Sequence, residues 1–204
     1  MQDADAAIDI ALMLQVAQGS ADAIAELVAR HHESLINFFY RSVRDRQLAE
    51  DFAQEVLIRL YRAAGSYSHE AKFTTFLYRI AKNYLIDHYR STGARVQAVS
   101  LDAGAAVAGD GEAGGRLLDV VASGEDRPEA VLEAGELGDR ILAAIAQLPL
   151  EHRMVFCMSE IEGMRYQDIA DALEIPVGTV KSRMFVAFQR LRALLRDLGP
   201  HDGE

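Results

Sequence analysis

The chain has 204 residues and half of them are hydrophobic, so it is long enough for one large domain or two small ones and too apolar to be disordered throughout. Its single cysteine, Cys157, sits in the apolar run at residues 155–158; it excludes an internal disulfide and fits a reducing compartment as a buried thiol. The net charge of −10 argues at first against a nucleic-acid binder, whose phosphate contacts are made by a basic surface.

The placement of the charge removes that objection. Residues 1–93 hold 10 Lys or Arg against 12 Asp or Glu, residues 94–133 hold 3 against 8, and residues 134–204 hold 8 against 11. Half of the excess of 10 negative charges therefore sits in the middle segment. Between Ile175 and Arg196 there are five basic residues (Lys181, Arg183, Arg190, Arg192 and Arg196) and no acidic one. The N-terminal stretch MQDADAAIDIALMLQ is acidic where a secretion signal is basic, and no apolar run approaches the roughly 18 residues a membrane span needs. A soluble, cytoplasmic protein with no membrane insertion is expected.

In chain order, a short helix is expected over residues 8–18, stopped by Gly19. Ser20 can cap the next helix, whose apolar positions Ile24, Leu27, Val28, Leu35, Phe38 and Phe39 share one face. A third helix over residues 48–64 turns Phe52, Val56 and Leu60 inward and ends at Gly65. After a polar loop, a fourth over residues 73–90 buries Phe76, Leu77, Ile80, Ala81, Tyr84 and Leu85. Residues 94–133 are dominated by Gly, Ala and Asp (LDAGAAVAGDGEAGG), which bury too little apolar surface to offset the entropy of ordering them. They read as a flexible acidic linker, with a small apolar patch at Leu117, Leu118, Val120 and Val121 that is either a docking segment or a hinge contact.

Beyond the linker, Leu137, Ile141, Ile145 and Leu148 mark a helix that Pro149 terminates. Residues 151–161 form the next, closed by Gly163; then come residues 166–173, a break at Glu174, Ile175 and Pro176, and a basic amphipathic helix over residues 177–198. No sustained alternation of period two is present. The expected fold is all-α: two small helical domains, residues 1–93 and 134–204, joined by the linker at 94–133.

Three constellations can carry function. In YQDIADALEIPVGTVKSRMFVAFQRLR, Ile169, Ala170 and Leu173 pack one helix and Val180 and Met184 the next, the layout of a helix-turn-helix. Thr179, Lys181, Ser182, Arg183 and Phe185 then lie near the start of the second helix, where such a motif meets base edges while Lys and Arg, Arg190 further along among them, grip phosphates. In AEDFAQEVLIRLYRA, Asp51, Glu55, Arg59 and Arg62 fall opposite the apolar face, either as solvated surface or as a contact, and Glu55 can pair with Arg59. In YSHEAKFTTFLYRIAKNYLIDHYR, Lys72, Arg79, Lys82 and Arg90 line one helix face beside aromatic residues. Cations that track a backbone and rings on which bases stack suit single-stranded nucleic acid; the alternative is that the aromatics are loop packing.

The segment LPLEHRMVFCMSEIEGMRYQDIADALEIPVGTVKSRMFVAFQRLR resembles region 4 of the extracytoplasmic-function (group 4) sigma factors of the sigma-70 superfamily, most specifically in IPVGTVKSR. The other two constellations are similar to sigma regions 2.2 and 2.3–2.4. The resemblance covers residues 9–93 and 134–198. It implies an alternative sigma factor that binds core RNA polymerase and directs promoter recognition and transcription initiation under an anti-sigma factor. It further implies contacts of Asp51, Gln54, Glu55 and Ile58 with the β′ clamp helices, and of the second domain with the β flap and the −35 duplex. Recognition and opening of the −10 element would fall to Tyr67, Lys72, Phe76, Arg79, Lys82, Asn83 and Arg90, with Tyr67 and Asn83 lining a pocket for a flipped base. The chain departs from the family at Arg165, where a capping Ser is common, at Val186 and Phe188, where basic residues are common, and at Phe76, where Trp is usual.

Catalysis finds no support. His31, His32 and Glu33 lack the spacing of a zinc-binding HExxH motif, and there is no phosphate loop, nucleophile elbow or carboxylate pair, so neither enzyme chemistry nor a cofactor or metal is expected. Two rival readings are a dimeric helix-turn-helix regulator, which would bind an operator tightly by itself, and a sigma mimic that sequesters an anti-sigma factor.

Overall fold

The computed structural model of the chain describes residues 2–68, 71–92 and 128–196. Among the described residues eight α-helices follow one another: α1 Gln2–Ala17, α2 Ala21–Val43, α3 Arg46–Ala63, α4 Phe73–Ser91, α5 Pro128–Gln147, α6 Leu150–Phe156, α7 Tyr166–Leu173 and α8 Val177–Leu194. A short 3₁₀ turn, Ala64–Ser66, follows α3, and a π-helical turn, Cys157–Ile161, extends α6. No strand occurs among the described residues, so the all-α reading holds. No helix there is long and apolar enough to cross a membrane.

The boundaries follow from local chemistry. α1 stops at Gly19, whose φ of +92° is a left-handed conformation open to glycine, and the Ser20 hydroxyl accepts from the Ala23 amide at 3.2 Å to start α2. α2 ends at Arg44 in the left-handed region with its amide bonded to the Tyr40 carbonyl, and Asp45 caps α3 by accepting from the Leu48 amide at 3.0 Å. The expectation of helix from residue 48 missed this cap and began α3 two residues late. α1 begins at Gln2, earlier than its apolar pattern suggested, and α5 begins at Pro128, a favoured first helical residue. The last six residues of the segment read as linker, 128–133, are thus helical. Residues 94–127, with the apolar patch at Leu117, Leu118, Val120 and Val121, lie outside the described residues. Arg165 makes no side-chain cap to α7; the first turn is instead entered from extended backbone, with Asp168 in it favouring the positive end of the helix.

In the first domain α2 packs along α3 and α1, and α4 closes the bundle. Its centre is aromatic: Phe39 meets Phe52 edge-on at 5.5 Å between ring centroids, and Phe38 meets Tyr78 at 5.2 Å. Asp9 of α1 is buried and accepts from Arg30 Nε at 2.7 Å, with His31 Nε2 2.9 Å from its other oxygen. Burial alone would raise the Asp9 carboxyl, but the hydrogen bonds and charges of His31 and Arg30 outweigh it and hold the group below its usual range. In the second domain α6 and α7 pack on α8 around Met154, Met158, Ile169, Val180, Met184 and Leu191.

The two domains are packed together, which the reading of two bodies on a flexible linker did not foresee. α7 lies across α4, α5 contacts α2, and the buried apolar residues of both domains form one contiguous core.

Candidate nucleic-acid and polymerase interfaces

The helix-turn-helix is α7, a turn at Glu174–Pro176, and α8. Val180, Met184, Ala187 and Leu191 form the buried stripe of α8 at the spacing of one helix face. Lys181, Ser182 and Phe185 are consequently exposed, Phe185 to 49%, a large apolar ring facing solvent. Thr179 is half-buried, and its carbonyl oxygen accepts from the Ser182 hydroxyl at 3.0 Å. Arg183 differs from Lys181: its guanidinium is bonded to the Glu151 carboxylate at the start of α6. Arg190 is half-buried near His152, whose imidazole is held below its usual range first by burial and then by the charges of Arg190 and Arg183. Phe188, one of the two departures from the family pattern on this helix, packs edge-on against Phe156 at 5.7 Å. It is a core-facing residue, so a cation there would face Phe156.

On α3, Asp51, Gln54 and Ile58 are exposed, Ile58 to 39%. They border a shallow groove floored by Ile24, Val28 and Ile36 of α2, with Leu57 and Tyr61 at its edge. Glu55 is half-buried and accepts from Arg59 Nε at 2.8 Å, as the four-residue spacing predicted, and the Arg59 guanidinium lies 4.6 Å from the Tyr84 ring centroid. An apolar floor with an acidic rim is a surface suited to a partner that presents both apolar and basic side chains.

The third set sits on α4 and the loop before it. The rings of Tyr67 and Phe76 are 5.2 Å apart, so the structure brings this pair together. Tyr67 is only 9% exposed, and its hydroxyl donates to the Ala71 carbonyl at 2.7 Å. Its phenol is pushed up to about 12 by burial and, secondarily, by the Asp9 charge. Asn83 and Arg90 are exposed. The remaining cations are not free. Lys72 Nζ bonds Asp168 at 2.6 Å, Arg79 Nη2 donates to the Asp171 carbonyl oxygen at 3.0 Å, and Lys82, 7% exposed, bonds Glu174 at 2.9 Å. The Glu174 carboxyl is lowered by the Lys82 hydrogen bond and then by its charge. Thus a face expected to be open and basic is covered by α7.

Sequence reasoning missed Asp168, Asp171 and Glu174, and it missed Arg153 as well. An acidic edge on the first helix of the motif is visible in YQDIADALE, but nothing local indicates that it meets α4. Among the described residues no group of three His, Cys, Asp or Glu side chains is placed to hold a metal.

With two helical domains, one ending in a helix-turn-helix and the other carrying a cationic and aromatic helix, the architecture is that of a DNA-binding protein. Comparison with known proteins is specific. Residues 27–95 match sigma-70 region 2 and residues 138–191 match sigma-70 region 4. The RNA polymerase sigma-H factor of Pseudomonas aeruginosa is 33% identical over 190 residues, 93% of this chain and 95% of that protein. The ECF RNA polymerase sigma factor SigW of Bacillus subtilis is 35% identical over 184 residues, 90% of this chain and 95% of its own length. Among solved structures, CnrH in complex with the cytosolic domain of CnrY superposes with a TM-score of 0.65 at 23% identity, covering 93% of this chain and 98% of that one. The sigma factor RpoE of Bartonella quintana, in complex with the anti-sigma factor NepR, gives 0.60 at 19% identity, over 84% and 96% of the two chains. The chain belongs to the extracytoplasmic-function group of the sigma-70 family of RNA polymerase sigma factors.

Proposed function

We propose that the chain acts in the cytoplasm as an alternative sigma factor in which each of the three surfaces has its own task. The α2–α3 groove, with Asp51, Gln54, Glu55 and Ile58, docks on the β′ clamp helices of core polymerase. The start of α8, with Thr179, Lys181, Ser182, Arg183 and Phe185 and the more distal Arg190, reads the −35 duplex, and the second domain also meets the β flap. The α4 face, with Tyr67, Lys72, Phe76, Arg79, Lys82, Asn83 and Arg90, captures the −10 strand, with Tyr67 and Asn83 receiving a flipped base. Domains at 1–93 and 134–204, joined through 94–133, accord with these tasks, with α5 already beginning inside that joining segment at Pro128. The polymerase supplies the chemistry and this chain none. An anti-sigma factor regulates it, a reading supported by the similar RpoE of Bartonella quintana, a sigma factor bound to the anti-sigma factor NepR, and by CnrH, bound to the cytosolic domain of CnrY.

The observation that carries the reading is the division of α8. Val180, Met184 and Ala187 are buried, whereas Lys181, Ser182 and Phe185 are exposed at the N-terminal end of the helix, which is the end that enters a major groove. The match of the first domain to sigma region 2 sets aside the dimeric regulator.

Reconstitution with core polymerase tests the assignment. Asp51→Lys with Glu55→Lys is expected to reduce co-elution with the polymerase while the far-UV circular dichroism stays unchanged; full co-elution would reduce that face to solvated surface. Tyr67→Ala with Asn83→Ala is expected to keep −35 binding and lose permanganate reactivity of thymines in the −10 region. Normal opening by that variant would remove the flipped-base role.

A further inference from the structure

α1 contributes no residue to any of the three surfaces, yet it carries a carboxylate, Asp9, that is only 3% exposed. Docking of the helix does not require that charge. Leu12, Met13 and Val16 of α1 already lie in the core, and an apolar side chain of similar volume commonly matches a buried ion pair in stability. What the polar contact adds is direction. One oxygen of Asp9 accepts from Arg30 Nε at 2.7 Å and the other lies 2.9 Å from His31 Nε2. Because His31 and Arg30 hold the carboxyl below its usual range, it is ionised and only accepts; Nε2 of His31 therefore carries the proton, and the plane of the imidazole is set.

The oriented ring lies against the start of α4. The centroids of His31 and Phe73 are 4.9 Å apart, and Phe73, 1% exposed, is the first residue of that helix. Lys72 at the cap position makes no side-chain hydrogen bond to the first turn, so the point at which α4 begins is set by what Phe73 packs on rather than by a cap. One turn further on, Phe76 meets the Tyr67 ring at 5.2 Å, and the Tyr67 hydroxyl donates to the Ala71 carbonyl oxygen. α1 also packs on α4 and on the 3₁₀ turn that leads into Tyr67.

We propose that Asp9 is a positioning residue for −10 recognition: by orienting His31 against Phe73 it fixes the start of α4, and with it the spacing of Tyr67, Phe76 and Asn83 that receives a base. This rests on the reading of Tyr67 and Asn83 as the pocket for a flipped base. It adds that discrimination between bases depends on α1, a helix outside the DNA-facing surfaces. A site that reads a base edge must be held to within about 0.5 Å, so loosening its support erodes discrimination before it unfolds the domain.

The test presents holoenzyme, reconstituted with the full-length chain, with a pool of random single-stranded DNA oligonucleotides and sequences the bound fraction, so that no duplex has to be melted. Asn83→Ala identifies the base position that the pocket reads. Asp9→Asn is expected to lower the preference at that same position by about fivefold, the scale of discrimination that one base contact supplies, and to leave the other positions as they are. His31→Gln keeps an N–H for Asp9 but has no ring to set against Phe73, and should share the loss. A role in stability alone would lower binding evenly across sequences. Should Asp9→Asn fail to fold, Phe73→Leu, which keeps an apolar side chain at the start of α4, carries the test with a loss at the same position. An even fall across sequences, unchanged preferences in Asp9→Asn, or full preference in His31→Gln would overturn the proposal. A position lost in Asn83→Ala but kept in the Asp9 and His31 variants rejects only the positioning role; no position lost in Asn83→Ala or Tyr67→Ala rejects the base pocket and the positioning role with it.

Discussion

Arg153 of α6 donates from Nη1 to the carbonyl oxygen of Ser42 at 2.7 Å, joining residues 111 positions apart and in different domains. The same carbonyl accepts from the Tyr89 hydroxyl at 2.9 Å, and Nη2 of Arg153 reaches the carbonyl oxygens of Ala146 and Leu148. A side chain that is 8% exposed therefore satisfies the end of α5, the turn before α6 and the end of α2 at once. These are charge-assisted bonds to backbone acceptors in a dry setting, the kind whose loss leaves desolvated carbonyls behind.

Replacing Arg153 by Ala should lower stability by about 3 kcal/mol, near the upper range for deleting a buried charged donor. Urea denaturation followed by circular dichroism measures it. A Lys at this position should recover only part of the loss, because a single ammonium cannot span three carbonyls with the geometry of a planar fork. Equal stability of the Ala and native chains would show that water satisfies the three carbonyls as well as the guanidinium does.

The two cations at the start of α8 should not behave alike. Lys181 is exposed, whereas Arg183 is bonded to Glu151 and must leave it to reach DNA. Lys181→Ala should weaken −35 duplex binding by holoenzyme by about 1–3 kcal/mol and reduce the salt slope by about one unit if the contact is to phosphate. Glu151→Gln should release Arg183 and tighten binding a few-fold. If Glu151→Gln instead weakens binding, Glu151 positions Arg183 productively. Salt titrations of promoter binding by filter retention or anisotropy decide between these.

Cys157 is fully buried, and burial pushes its thiol up to about 12 from an ordinary value of 9.0. Because the thiolate is the nucleophile, the native chain should not react with a disulfide reagent such as DTNB at pH 8, and one thiol should appear on adding urea. The linkage has a definite sign. A folded value raised above the unfolded one favours the folded state below the unfolded value, about 9, and this contribution is lost as pH rises through the folded value. Rapid native labelling would mean that the region around the π-helical turn opens locally.

The contact between the domains should also respond to acid, through two carboxyls of opposite sign. Glu174 is lowered by Lys82, so its contribution is present above its ordinary value of 4.5 and is lost as pH falls through the folded value. Glu162, on the turn after the π-helical segment, is raised by burial, so its ionisation opposes the folded state above its ordinary value of 4.5 and protonation relieves it. In small-angle scattering from pH 6 down to pH values well below the ordinary 4.5 of a glutamate, the unaltered chain should therefore stay compact until Glu174 is protonated. Glu174→Gln should flatten the low-pH limb, and Glu162→Gln should make the chain more compact near neutrality. An unchanged profile in both variants would place the acid response elsewhere.

Much of this was legible in the chain's own residues, and for local reasons. Ser20 reads as a cap and Gly19 as a stop because both act within one turn of helix. The spacing of Val180 and Met184 identifies the buried side of α8, and so leaves Lys181, Ser182 and Phe185 outside. The four-residue spacing of Glu55 and Arg59 anticipated their ion pair. Helical periodicity and capping depend on neighbours three or four residues away, and these are present in any window of sequence.

What each polar face meets became visible only in the folded chain. Nothing within a turn of Lys72 or Lys82 points to Asp168 and Glu174, 96 and 92 residues later, and the same holds for Arg153 and Ser42 at 111. The periodic pattern separates a polar face from an apolar one but is the same whether the polar face meets water, DNA or another domain. Asp45 shows the same limit at short range, since a carboxylate before Arg46 is equally at home as a cap or on the surface until the Leu48 amide is seen to donate to it. The helices and the basic character of α4 and α8 are therefore properties of the sequence alone. That most of the cations on α4 are already paired is a property of the packing of α7 across α4, because that contact depends on the relative position of two domains that no local interaction specifies.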